Sequence, residues 1–155
     1  MSSPHSETRA KRSATDPGPS IGTRVLAGAV GGLAGGIVFG FLMATMGMLG
    51  MIASLVGSNS AIVGFLVHLT ISILIGLTLT VPGAGLLKKG LVICTVVGIV
   101  YGMLWWVLGP LLIMPTMMGM PLFTLDAGSG ASLMGHAVYG LILGLVATLI
   151  IRRGR

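Results

Sequence analysis

Four apolar runs without a single Asp, Glu, Lys or Arg decide what this chain can become. They cover about residues 25–47, 61–81, 90–113 and 131–151. Each is long enough for the ~20 residues that cross a bilayer core as a helix. Only 8% of the residues are charged and 54% are hydrophobic, whereas a soluble domain is about a quarter charged. The expected fold is an all-α membrane protein of four transmembrane helices, arranged as two tandem, parallel-related helical hairpins.

The few cations set the orientation. Lys and Arg occur only at Arg9, Lys11, Arg12, Arg24, Lys88, Lys89, Arg152, Arg153 and Arg155. They leave a net charge of +6, but no basic patch interleaved with stacking aromatics, so a nucleic-acid partner is excluded. The connections at 57–60 and 115–130 carry no cation and hold only Asp126, a lone exposed acid. The positive-inside rule then places both termini and the Lys88–Lys89 turn in the cytoplasm of a bacterial or archaeal inner-membrane protein. Residues 1–24, polar and rich in Ser, Pro and Thr, read as a disordered cytoplasmic tail. Residues 152–155 read as a basic C-terminus. A signal peptide is set aside because the apolar stretch from Val25 runs to about Val56, beyond the ~7–15 residues of a signal h-region. Cys94, the single cysteine, excludes an intramolecular disulfide.

Within the runs, small residues recur every fourth position. Gly64, His68, Ser72, Gly76 and Thr80 in the second run match Ser132, His136, Gly140, Gly144 and Thr148 in the fourth, at a constant offset of 68. Gly28, Gly32, Gly36 and Gly40 match Gly90, Cys94, Gly98 and Gly102 at an offset of 62. Steps of four keep side chains on one helical face. The chain therefore reads as a two-span unit (25–81) and its copy (90–151), related by an axis along the membrane normal. Small-residue faces let helix backbones approach closely, which assigns Gly28, Gly32, Gly36, Gly40, Gly76, Gly98, Gly102, Gly140 and Gly144 to helix packing.

His68 and His136 are the ionisable residues of these spans that carry chemistry. Equivalent positions in parallel repeats put both in the outer leaflet, His68 roughly 10 Å deep at ~1.5 Å per residue and His136 somewhat less. An intramembrane imidazole faces the bundle interior, so the two are expected to face one another. All the methionines after Met1 fall in outer halves or outer connections, most densely in MPTMMGMP at 114–121. Thioether and imidazole suit Cu(I), and His68, His136, Met114, Met117 and Met118 form the candidate metal set. Met is equally an adaptable filler of apolar gaps, and a histidine can simply bond across helices. Haem is a further reading, with two axial histidines and glycine stripes admitting the macrocycle, although the outer connections lack cations for the propionates. Trp105 and Trp106 read as interfacial or packing aromatics. No nucleophile triad, HExxH, carboxylate pair or phosphate loop is present, so no enzymatic activity is expected.

The segments GFLVHLTISILIGL, GIVYGMLWWVLGPLLIMP and SLMGHAVYGLILGLV resemble small multi-pass bacterial and archaeal membrane proteins, loosely similar to the YagU-like inner-membrane group. The likeness runs from about Gly36 to Arg153 through the pattern H-x-x-x-small-x-x-x-G and the basic stop. It implies the fold and transfers no site. The expected function is a structural or partner-binding helical bundle in the lipid bilayer, with a homodimer or another membrane protein as partner. The alternatives are a small-solute or copper-like metal-ion permease and a bis-His haem electron carrier.

Overall fold

The computed structural model describes residues 18–154, all-helical with four helices long and apolar enough to cross a membrane. The first, α1 (Ile21–Thr45), is followed by a short α2 (Leu49–Ser54) and then by α3 (Ala61–Gly83). A 3₁₀ turn (Leu86–Lys88) leads into α4 (Leu91–Leu108), which passes through a π-helical turn (Gly109–Ile113) into α5 (Met114–Met118). The chain returns along α6 (Ala127–Arg153).

Several boundaries differ from the sequence expectation, each for a local reason. The tail was expected to reach residue 24, and its first 17 residues lie outside the described part. The helix already begins at Ile21, because the Ser20 hydroxyl accepts the Thr23 N–H and caps it. Arg24 is thereby helical, and its guanidinium donates to Val81 O at 3.2 Å, fastening the start of α1 to the end of α3. At the far end, residues after 47 form α2 instead of running straight to a turn. Its Leu49, Ile52 and Ala53 are buried, and Gly64 packs against the Leu49 carbonyl.

The connection expected at 115–130 is shorter. Helix continues to Met118 and resumes at Ala127. Gly119, in the left-handed conformation at φ 65, ends the first helix. Asp126 starts the second: its carboxylate accepts the Ser129 N–H at 2.7 Å, and its own N–H donates to the Ser129 hydroxyl at 2.8 Å. The acid read as lone is thus half of a capping box. Because α6 begins earlier than residue 131, His136 lies nine residues into its helix rather than closer to the surface.

The helices stand in the order α3, α1, α6, α4, each packed on the next, while α3 and α4 do not pack along their lengths. Three seams hold them. In the first, a Cβ on Gly28 would sit 2.8 Å from Gly76 O, and one on Gly36 would sit 2.6 Å from the Ser72 side chain. In the second, a Cβ on Gly144 would sit 2.7 Å from Cys94 O and 3.2 Å from the Gly98 Cα. Gly40 lies against His68, and Gly102 against the His136 carbonyl. Three residue pairs correspond under the offsets of 62 and 68: Gly32–Gly76 with Cys94–Gly144, Gly36–Ser72 with Gly98–Gly140, and Gly40–His68 with Gly102–His136, whereas Gly28–Gly76 has no counterpart. All nine glycines assigned to packing are buried. Gly90 is different, since it takes φ 108 before α4 and faces no other helix.

The third seam joins α1 to α6 and was not anticipated. Gly31 faces Leu143, Gly35 faces Tyr139, and Gly135 receives the ring of Phe39. At the same two offsets the positions facing between α4 and α3 are Ile93, Val97 and Val67. These positions carry branched side chains instead of glycine, and the two helices do not pack along their lengths. An opening lies beside them in the half of the bundle away from the described cations. Further in, Tyr101 of α4 reaches α3, its hydroxyl donating to Ile75 O at 2.9 Å.

A methyl group at Gly76 or Gly140 would press on the carbonyl of Gly28 or Gly98, a backbone atom that cannot swing aside. Gly76→Ala and Gly140→Ala should therefore each destabilise the bundle by about 1–3 kcal/mol, the usual penalty of overpacking. Gly83→Ala, whose Cβ meets only the end of Leu79 at 3.8 Å, should melt like the parent in detergent. Equal melting of all three would remove the seams as the packing interface.

Candidate functional site: a cavity among four helices

The gap between the four helices encloses a cavity of about 730 Å³. Its floor is Ser72, Ile75 and Tyr139, and its rim is formed by α2, α5 and the segment before α6. Below the floor the bundle is closed. The Tyr139 hydroxyl donates to Ser72 O at 2.6 Å, and beyond it the glycine seams bring backbone onto backbone. The cavity is therefore blind toward the end of the bundle that carries the described cations.

Both intramembrane histidines line it. His68 is 7% exposed, and His136 is half-buried. Phe39 touches both, with ring centroids 5.1 Å from His68 and 4.7 Å from His136, each edge-on. The two imidazole centroids therefore lie within about 10 Å of one another. Neither ring turns out to lipid.

Their orientations are not equivalent, although their positions are. His68 Nε2–H donates across the seam to Gly36 O at 3.1 Å. His136 Nδ1–H donates within its own helix to Ser132 O at 2.8 Å. A carbonyl oxygen only accepts, so each bonded nitrogen carries the proton in the neutral ring. That leaves the lone pair on Nδ1 of His68 and on Nε2 of His136, neither bonded to a protein atom.

The methionines separate into two groups. Met43, Met48 and Met51 line the cavity from α1 and α2, and Met114, Met117, Met118 and Met120 line it from the opposite side. Met46, Met103 and Met134 do not line it, and the last two are exposed on outward faces. The candidate metal set of His68, His136, Met114, Met117 and Met118 is thus brought to a single space.

The π turn accounts for the second group. Its Met114 N–H bonds to Gly109 O, one residue further back than in an α-helix. Pro115 has no N–H to offer Leu111 O, and Phe123, at φ 54, supplies its own at 3.0 Å. The connection is folded back over the cavity mouth by that bond. In α5, Met114, Met117 and Met118 then fall at i, i+3 and i+4, on one face.

The tryptophans divide as well. Trp106 is a packing group, donating to Ser129 O at 2.9 Å and tying α4 to the first turn of α6. Trp105 lines the cavity, and its indole N–H is buried without an acceptor. Sequence reasoning missed Tyr139, Phe39 and Gly135. A second glycine ladder on α1, Gly31 and Gly35, was the available signal. The glycine stripes do not admit a macrocycle as the haem reading required, because opposing backbone fills them.

Nitrogen-15 spectra of histidine-labelled protein should show the two rings as opposite tautomers, Nε2–H for His68 and Nδ1–H for His136. Gly135→Ala, which displaces the Phe39 ring, should move both sets of signals. Gly130→Ala, facing open space, should move neither. Identical tautomers would contradict the bonding described.

No protein-family model, curated protein or solved structure matches this chain, so the chemistry of the site rests on its own residues.

Proposed function

We propose that the chain is a multi-pass protein of a bacterial or archaeal cytoplasmic membrane, with both termini cytoplasmic, that receives a small ligand from the outer face. The observation carrying this reading is the blind 730 Å³ cavity that reaches both intramembrane histidines. Its volume falls within the ~300–1,000 Å³ of small-ligand sites, and apolar walls with few placed polar groups are their usual lining. The orientation follows from charge. Arg24, Lys89, Arg152 and Arg153 all belong to the end away from the cavity mouth, and the positive-inside rule puts that end in the cytoplasm.

The glycine seams are the scaffold in this reading, and their three corresponding residue pairs support an origin by internal duplication. They give no support to a homodimer joined through glycine, since those faces are filled within one chain. A closed inner half favours reception of a ligand over its conduction.

Single cysteines in a Cys94→Ala background test the proposal. Asn59→Cys and Thr124→Cys should react with a membrane-impermeant maleimide added to intact cells, and Lys89→Cys should react only after lysis. Ser132→Cys, beside His136 in the cavity, should react with a small water-soluble methanethiosulfonate from outside, more slowly than Asn59→Cys. Labelling of Lys89→Cys in intact cells would overturn the orientation. An inert Ser132→Cys would overturn the cavity as a site reached from the outer face.

A further inference from the structure

The cavity's nitrogen and sulfur donors are neutral. Thioethers come from α1, α2 and α5, and the two imidazoles present lone pairs that no described protein atom takes. Its oxygen donors are the hydroxyls of Ser72, Thr124, Ser129, Ser132 and Tyr139, and Asp126, the single acid in the lining, is already occupied as a helix cap. Among the described residues no three His, Cys, Asp or Glu come together. Hard divalent cations, which favour several carboxylate and carbonyl oxygens, find one carboxylate here. Zinc, held by thiolates, carboxylates and several imidazoles, is equally unsupported.

Neutral sulfur and nitrogen are what a soft monovalent cation takes. We propose that the cavity is a Cu(I) site, the ion being held at any one position by a few donors drawn from His68 Nδ1, His136 Nε2 and the thioethers of Met43, Met114, Met117 and Met118. This rests on the reading of the cavity as a ligand site open to the outer face, and adds the class of ligand.

The arrangement of donors by depth gives the site a direction. Met117 is 64% exposed and Met118 38% exposed at the rim, whereas Met43 is 6% and His68 7% exposed below them. Met43 lies four residues after Phe39 on α1, one turn above the ring that touches both imidazoles. A cation captured by the rim thioethers meets successively more enclosed donors on its way to the histidines. Methionine has three rotatable bonds, so the rim can follow the ion inward without movement of the backbone. A +1 ion among neutral ligands also places only one charge in the bilayer, where charge is costly.

The full chain in lipid nanodiscs should bind Ag(I), the redox-inert probe, and Cu(I) under anaerobic conditions with a competing chelator. Stoichiometric binding and an absorption edge showing both sulfur and nitrogen scatterers are expected. The triple variant M114L/M117L/M118L keeps side-chain volume nearly constant and should melt like the parent. Its affinity should fall by no less than the roughly 10–100-fold lost with an outer-shell partner of a metal. His68→Gln and His136→Gln should each remove the nitrogen contribution. The control M46L/M103L/M134L, altering methionines outside the cavity, should bind as the parent does. Absence of stoichiometric metal, or equal affinity in the two triple variants, overturns the assignment. If Ser132→Cys is modified from outside while neither metal binds, the copper assignment falls and the cavity reading stands. If Ser132→Cys is inert, both fall together.

Discussion

Helix contact inside a bilayer has no hydrophobic effect to draw on, because lipid tails are as apolar as leucine. Association then depends on how closely two backbones can approach, and in this chain that approach is set by glycine. Gly28 and Gly76 on one seam, and Gly98 with Gly140 and Gly144 on the other, place a Cα where a neighbouring helix puts its carbonyls. A stripe of such contacts replaces side-chain interdigitation with backbone contact along several turns. Everything else in the molecule is arranged by which faces carry that stripe and which do not.

The cavity lies where close packing is missing. The α1–α6 seam has Gly31, Gly35 and Gly135, whereas α3 and α4, with Ile93, Val97 and Val67 at the related positions, do not pack along their lengths. Close approach on one side without it on the other leaves room between the halves of the helices away from the described cations. Toward the basic end the room disappears, because Tyr139 spans from α6 to Ser72 and Tyr101 from α4 to Ile75. Two tyrosines thus fix how deep the opening goes. Pro115, in α5, then shapes its mouth. Pro115 leaves the Leu111 carbonyl free, the connection to α6 bonds to it through Phe123, and the preceding π turn aims α5 inward. A helix continuing regularly past Leu108 would aim its last turn differently.

Much of this was legible in the sequence. Four uncharged apolar runs define four spanning helices, and the four-residue ladder names the nine glycines found buried between backbones. The histidines were placed correctly on an inward face because the ladder contains them. Other features were not legible, for physical reasons. Helix ends depend on single hydrogen bonds, so Ser20 and the Asp126–Ser129 box moved two boundaries by four residues each. The α1–α6 seam was written in Gly31, Gly35 and Gly135, but these interleave with the first ladder and are visible only once two faces of α1 are read separately. The position of Phe39 between the histidines could not be read at all. It depends on Gly135 of a distant segment making space for the ring.

A last consequence concerns the two pairs of helices that share the four-residue ladder. Three residue pairs of their seams correspond, yet their imidazoles do not bond alike. Gly64 stands where the second unit has Ser132, and Gly140 stands where the first has Ser72. His136 bonds to the carbonyl of its own Ser132, whereas His68 bonds across to Gly36 and lies beside the Ser72 hydroxyl. Where a carbonyl opposes the glycine, as at Gly76 and Gly140, a single added carbon collides with it, although the seams also hold Ser72 opposite Gly36 and Cys94 opposite Gly144. The lining of the cavity is under no such constraint, because a changed side chain there meets open space. Two helix pairs that share the ladder can therefore keep the same frame while their histidines come to present different nitrogens. That difference turns the ring nitrogens of a symmetric pair into two distinct donors, and the only place they can serve together is the space between them.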